Sequence, residues 1–230
     1  MSCSIFIRSY RNDFEWLDYC LKSIDKYCSG FEQVIIVVPD TDVELLPSSY
    51  FDKYSIFTVH ERTIGYIDQQ ITKLQAHHYT QSDQILFVDS DCCFFKACTP
   101  DSFKQNGLPI LLKTPYSVFR KHQQETGEKQ QVLHWQPITE KAVGFPVKYE
   151  YMRRIPMMFH RSTLNLIQIL YPDIELYCCS VPNKEFSEFN VIGAIAEQHR
   201  AELYTILDTT IDPLPEKVAE QRWSWGGLTP

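Results

Sequence analysis

Two aspartates one residue apart, Asp89-Ser90-Asp91, follow the apolar run Gln84-Ile85-Leu86-Phe87-Val88 and precede a second one, Cys92-Cys93-Phe94-Phe95. Hard carboxylate oxygens at this spacing suit Mn²⁺ or Mg²⁺, ions that complete their shells with water and phosphate oxygens. Such an ion acts as a Lewis acid on a departing diphosphate, whose charge must be neutralised as its bond to carbon breaks. One carboxylate then binds the ion directly and the other faces ribose or metal-bound water. The same pair can also cap a turn or open a loop. Acids set between two apolar runs are costly to keep unless they meet a cation, and this favours the metal reading.

Such a pair must be presented by rigid elements. Gln84 to Val88 reads as a buried strand that delivers Asp89 at its carboxyl end. Ser4 to Arg8 is an earlier strand, stopped at Ser9-Tyr10-Arg11-Asn12-Asp13. Phe14 to Tyr27 follows as a helix with Phe14, Leu17, Leu21 and Ile24 at helical spacing. Gln33 to Val38 and Ser55 to His60 read as two further buried strands. Gly65 to Tyr79, with Ile67, Ile71 and Leu74 on one face, reads as a helix. This alternation predicts a doubly wound parallel sheet, in which ligands sit beyond the carboxyl ends of the strands. Past Pro109 the pattern weakens. Leu111 to Thr114 reads as a strand and the polar segment Lys121 to Gln131 as a surface loop or lid. Met157 to His160 reads as a strand, Ser162 to Leu170 as a helix capped by Ser162, and Ser187 to Glu197 as a helix capped by Ser187.

The chain has 230 residues, 44% hydrophobic and 22% charged, which suits one α/β domain with a sizeable core. A formal net charge of −7 argues against charge-driven binding to nucleic acid or membrane surfaces. No apolar run approaches about 18 residues, and the N-terminal one is too short for a signal-peptide core, so a cytoplasmic protein is expected. The eight cysteines include the vicinal pairs Cys92-Cys93 and Cys178-Cys179 and no C-x-x-C spacing. Free thiols, without structural zinc, are therefore expected.

Several stretches together resemble GT-A glycosyltransferases, in particular a branch found in viruses and bacteria. They are Ile5 to Asp13 with Phe14 to Ile24, Ile35 to Pro39, Gln69-Gln70-Ile71-Thr72-Lys73-Leu74, Ile85 to Asp91, Ser187-Glu188-Phe189-Asn190, and Trp223-Ser224-Trp225-Gly226-Gly227. The Asp89-Ser90-Asp91 strand is the specific one among them. The resemblance implies a single GT-A domain over 1–230, with a Rossmann-like, mostly parallel sheet flanked by helices and a smaller acceptor-side subregion. Residues 1–108 would bind the nucleotide sugar, and 109–230 the acceptor. It also implies transfer of a hexose-like unit from a nucleoside-diphosphate sugar, with UDP the expected nucleotide, to a hydroxyl on a glycan, glycoprotein or other acceptor. Arg8, Ser9, Tyr10 and Arg62 become nucleotide-side candidates. Asp89 and Asp91 become the ribose and metal residues, with Ser90 between them.

Each supporting residue has an ordinary alternative. Lys73 either reaches the aspartate loop and a donor phosphate or is a solvated helix lysine. Arg62 either grips phosphate bidentately or is an exposed loop arginine. Glu188 is the chosen acceptor-activating base, with Glu150, Glu185 and Asp208 as rivals, yet an acid in a first helical turn also suits the helix dipole. His160 and His199 are positional candidates for completing a metal shell, although a core histidine and a dipole-complementing one are the ordinary readings. Trp223 and Trp225 with Gly226-Gly227 can close over a diphosphate or dock the tail. Tyr149, Tyr151, Arg153 and Arg154 suit acceptor binding or surface packing. If no base lies opposite the leaving group, a retaining route stays open. A sugar-nucleotide nucleotidyltransferase would share the sheet and acidic site, but it usually has a glycine-rich loop where this chain has Ser9 to Asp13. A non-catalytic binding domain on the same fold is the third reading.

Overall fold

The computed structural model describes residues 1–62, 65–182 and 184–222. The first ninety residues form β1 (Cys3–Arg8), α1 (Phe14–Tyr27), β2 (Val34–Pro39), α2 (Ser49–Lys53), β3 (Ser55–Val59), α3 (Gly65–Leu74) and β4 (Gln84–Asp89). After a turn come β5 (Cys92–Phe94), β6 (Lys104–Gln105), β7 (Leu108–Pro115), α4 (Tyr116–Thr126), α5 (Val132–Val143), β8 (Tyr149–Glu150) and β9 (Met157–His160). The remainder is α6 (Arg161–Leu170), α7 (Ile174–Ser180), α8 (Glu188–Arg200), β10 (Thr205–Asp208) and β11 (Ala219–Gln221).

The central sheet has five strands in the order β3-β2-β1-β4-β9. The first four run parallel and β9 runs antiparallel to β4. The chain leaves β1 towards β2 on one side and later returns to β4 on the other, so the strand order reverses between β1 and β4. A crevice opens at the carboxyl edge of such a reversal, because the connections on either side diverge there. Arg8 and Asp89 face each other in the register at this edge.

β1, β2 and β4 are almost wholly buried, as their largely apolar sequences suit strands covered on both faces. β3 departs from the expectation of a buried strand. It is the edge of the sheet, and Phe57 and Thr58 are exposed. Phe87, Phe159 and Phe189 meet ring to ring between the sheet and α8, which fixes α8 against the sheet. α3 packs on β1 and also contacts α8, so the two helices that flank the crevice touch each other.

The second half is a smaller β region, β10-β7-β6 with β8 added to β7, together with a two-stranded ribbon of β5 and β11. Lys121 to Gln131 is not a loop throughout. α4 runs to Thr126 and ends on Gly127 in the left-handed conformation, and only Gly127 to Gln131 lies between helices. Of α4 only Tyr116 is buried, so the helix looks polar in sequence although it is regular. Ser162 is not the cap of α6. His160 occupies that place, with its Nδ1 2.8 Å from Ser162 Oγ. Ser187 does cap α8, accepting from the Asn190 backbone N–H. All eight cysteines are free. No helix among the described residues is long and apolar enough to cross a membrane.

Candidate functional site

A cleft of about 800 Å³ occupies the crevice at the β1/β4 reversal. Arg8, Ser9 and Tyr10 form one wall, where β1 ends, and Asp89, Ser90 and Asp91 form the floor. Lys73 from α3 and Glu188 from the first turn of α8 close the inner side, and Gln221 at the end of β11 reaches in from the ribbon.

Lys73 is buried, and its Nζ lies 2.8 Å from Asp89 Oδ1 and 3.0 Å from Glu188 Oε1. The ammonium also sits 4.9 Å from the Phe189 ring centroid. Burial by itself would lower its pKa, but the two carboxylates outweigh that penalty and hold it above the ordinary lysine value. Lys73 is thus not a solvated helix lysine; it lies inside, against the aspartate loop.

Gln221 Nε2 donates to Asp89 Oδ2 at 3.2 Å and to Asp91 Oδ1 at 3.1 Å. One carboxylate oxygen from each aspartate therefore converges on a single electropositive group. This donor set fits a small hard cation, for which one or two carboxylates plus water and phosphate oxygens suffice. No cluster of three or more His, Cys, Asp or Glu side chains suited to a metal occurs among the described residues. Among the described residues, the carboxylates that meet at the Gln221 amide are those of Asp89 and Asp91.

The nucleotide-side wall is polar and incompletely satisfied. Arg8 is buried and donates from Nη2 to Glu61 Oε1 at 2.8 Å, and from Nη1 to the Ser9 carbonyl. Burial lowers its pKa, and Glu61 partly offsets this. Among the described residues Arg8 Nε, Ser9 Oγ and Gln70 Oε1 are buried without a hydrogen-bond partner, and all three residues line the cleft. Buried polar atoms are rarely left so, and a ligand with donors and acceptors at its edge would satisfy them. Burial and the charge of Glu188 together push the Tyr66 phenol, also in the cleft lining, up to about 12. Ser90 is held at the floor, donating to Asp13 Oδ2 at 3.5 Å.

Other expected site residues lie elsewhere. Arg62 does not line the cleft; its Nη1 is 3.4 Å from Glu175 and its side chain is largely solvated. Of the four candidate bases, only Glu188 reaches the cleft. Glu150 is fully buried against Arg153 and Asn190, where burial raises its pKa against the opposing pull of Arg153. Glu185 faces His134, and Asp208 binds the Thr210 backbone at the end of β10. His160 pairs in register with Gln84, at the opposite end of β4 from Asp89. His199 lies at the far end of α8 from Glu188, against Phe145. Neither histidine approaches the two aspartates. Tyr151 donates to Glu197, Arg153 pairs with Glu150 and Arg154 donates to the Pro215 carbonyl, so this cluster packs the second half instead of lining the cleft. Tyr149 lies under the Lys113 ammonium. Trp223, Trp225, Gly226 and Gly227 lie outside the described residues.

Several members of the site carry no strong signal in the sequence. Glu61 stands just past the end of β3, so a strand-end position was its only signal. Gln221 belongs to a three-residue strand whose partner, β5, is more than a hundred residues earlier, and nothing local marks it. Trp135 was also missed. It lines the outer part of the cleft from α5, with its indole N–H donating to the Lys184 carbonyl at 3.0 Å.

Fold and site together define an α/β protein with a largely parallel sheet and a charged cleft at its strand-order reversal. The chain belongs to a family of unknown function, DUF6492, whose model matches residues 1–201. The matched span includes Lys73, Asp89, Asp91 and Glu188 and stops short of Gln221. No curated protein matches the chain.

Proposed function

We propose that this protein is a metal-dependent glycosyltransferase of the GT-A type. It would move a sugar from a nucleoside-diphosphate sugar, UDP-linked in the first instance, to a hydroxyl acceptor with inversion. The observation that carries the reading is the convergence of Asp89 and Asp91 on one point of an open cleft, at the carboxyl edge between β1 and β4. Asp89 and Asp91 would hold Mn²⁺ or Mg²⁺, which would supply positive charge to the leaving diphosphate.

The chain's own residues divide the remaining work. The Arg8 to Tyr10 wall, with Ser9 Oγ and Gln70 Oε1, which have no hydrogen-bond partner among the described residues, receives the nucleotide edge. Lys73 fixes Asp89 and Glu188 relative to one another, so the donor floor and the base move as one unit. Glu188 takes the acceptor hydroxyl proton as that oxygen bonds to the anomeric carbon. The bond from that carbon to the diphosphate oxygen breaks, and its electron pair leaves with the phosphate. Pre-set groups of this kind lower the barrier because they need no reorganisation as charge develops.

The test is a panel of nucleotide sugars screened for Mn²⁺-dependent hydrolysis and thermal stabilisation, beside Mn²⁺ binding followed by electron paramagnetic resonance. Asp91→Ala should remain folded and lose metal-dependent donor binding. Glu188→Gln should keep donor affinity and lose transfer. Unchanged Mn²⁺ and donor binding in Asp91→Ala would remove the basis of the reading. Full transfer by Glu188→Gln would reassign the base.

A further inference from the structure

Away from the cleft, Cys28 at the end of α1 and Cys98 four residues beyond β5 form an isolated parallel bridge. Their backbones are tied from both sides. The Cys98 N–H donates to the Tyr27 carbonyl at 2.8 Å, and the Ser29 N–H donates to the Cys98 carbonyl at 3.0 Å. The two sulfurs lie 3.5 Å apart, closer than their van der Waals spacing requires and about 1.5 Å from a covalent bond length. Cys28 is partly exposed and Cys98 is buried.

We propose that Cys28 and Cys98 are a reversible dithiol/disulfide modification site, oxidised by small hydroperoxides, that staples the end of α1 to the segment following β5. The backbone hydrogen bonds already hold both Cα atoms at bridge distance, so the bond forms by side-chain rotation with no rearrangement of the sheet. The hydrogen bond from the Cys28 thiol favours a thiolate at Cys98, lowering its pKa, while Cys28 itself is pushed well above the ordinary thiol value by that bond and by burial. The Cys98 thiolate attacks one oxygen of the hydroperoxide, forming a sulfenic acid and releasing hydroxide or alkoxide. The Cys28 sulfur then attacks the Cys98 sulfur, forming the S–S bond as the sulfenic oxygen leaves as water. Two thiols lose two electrons and two protons, and the O–O bond takes up both. Among the described residues Cys28 and Cys98 are the two cysteines joined by a sulfur–sulfur hydrogen bond, so this is the pair expected to cross-link.

The experiment treats the folded, reduced protein with equimolar hydrogen peroxide, alkylates the remaining thiols after unfolding, and maps the products by mass spectrometry. The expected product is one Cys28–Cys98 linked peptide pair, 2 Da lighter than the two free peptides together, that dithiothreitol reverses. Cys28→Ser lacks the resolving thiol and should accumulate a dimedone-reactive Cys98. Cys98→Ser should show no oxidation of Cys28 at the same dose. A wild-type protein that gains no disulfide, or gains one between other cysteines, overturns the proposal. So does a Cys28→Ser variant whose Cys98 resists dimedone while the protein remains folded by circular dichroism. None of these outcomes depends on sugar transfer.

Discussion

Replacing Lys73 by methionine perturbs the site most directly. Methionine keeps the unbranched stem but removes the ammonium that lies 2.8 Å from Asp89, 3.0 Å from Glu188 and 4.9 Å from the Phe189 ring centroid. The side chains are 4% exposed for Lys73, 14% for Asp89 and 6% for Glu188, so water does little to replace the lost cation. Removing one partner of a buried ion pair costs about 3–5 kcal/mol, a large part of the roughly 5–15 kcal/mol that holds a domain folded. Glu188→Gln removes one of the two carboxylates and leaves Lys73 paired with Asp89, so its effect should be near that of a single lost charge-assisted hydrogen bond, about 1.5–3 kcal/mol. In the Lys73→Met/Glu188→Gln variant only Asp89 is left without the ammonium, and it keeps the Gln221 hydrogen bond. The double variant should therefore be more stable than Lys73→Met alone, which requires an interaction term larger than the roughly 1.5–3 kcal/mol that Glu188→Gln costs by itself. Urea unfolding followed by tryptophan fluorescence measures this as midpoint shifts at constant slope. If the double variant is as unstable as the sum of the two single variants, the three side chains do not act as one buried unit and the argument fails.

Other expectations follow from the same contacts. Because the folded pKa of Lys73 is raised above its unfolded value, the stability it contributes is fully present below about pH 10.4 and is lost as pH rises towards the higher folded value. An unfolding midpoint that falls more steeply above pH 10 for wild type than for Lys73→Met checks this, and equal slopes would contradict it. Gln221 can turn its amide to present Oε1 in place of Nε2, so Gln221→Ala should weaken Mn²⁺ binding by about tenfold. Tighter Mn²⁺ binding by that variant, read by calorimetry, would make Gln221 a competitor instead of a ligand. Gly193→Ala would place a Cβ 2.4 Å from Tyr151 Cβ and Cγ, atoms near the backbone that cannot swing aside. Overpacking of about 1–3 kcal/mol should outweigh the roughly 1 kcal/mol that alanine gains over glycine in a helix, lowering the thermal midpoint by a few degrees. A raised midpoint would show that Tyr151 yields.

The elements with strong periodicity were readable before the structure. β1, α1, β2 and β4 carry continuous apolar runs or a single apolar stripe, because each is covered on the sides those patterns require. α4 and α5 were not readable. α4 buries one residue only, and α5 contains Pro137, so neither shows a helical stripe against its polar background. The exposure of β3 was hidden for a related reason. Its composition suits a buried strand, and only its place at the end of the sheet leaves Phe57 in water.

The cleft was legible to the extent that its residues come from strand ends. Asp89, Arg8 and Ser9 are placed by the length of their strands, which any apolar run reveals. Glu188 is placed by the Ser187 cap, a local signal that fixes where α8 begins. What no local pattern encodes is the set of pairings across the chain. Lys73 joins Asp89 to Glu188, residues nearly a hundred apart, and Gln221 joins Asp89 to Asp91 from still farther along. Both links depend on α3 touching α8 and on β11 pairing with β5, which are consequences of packing. The electrostatic character of the site follows from those two contacts. Carboxylates that would be too costly to bury singly are held in place by one ammonium and one amide, and the amide is the group a divalent ion can displace or turn without breaking the Lys73 pairs.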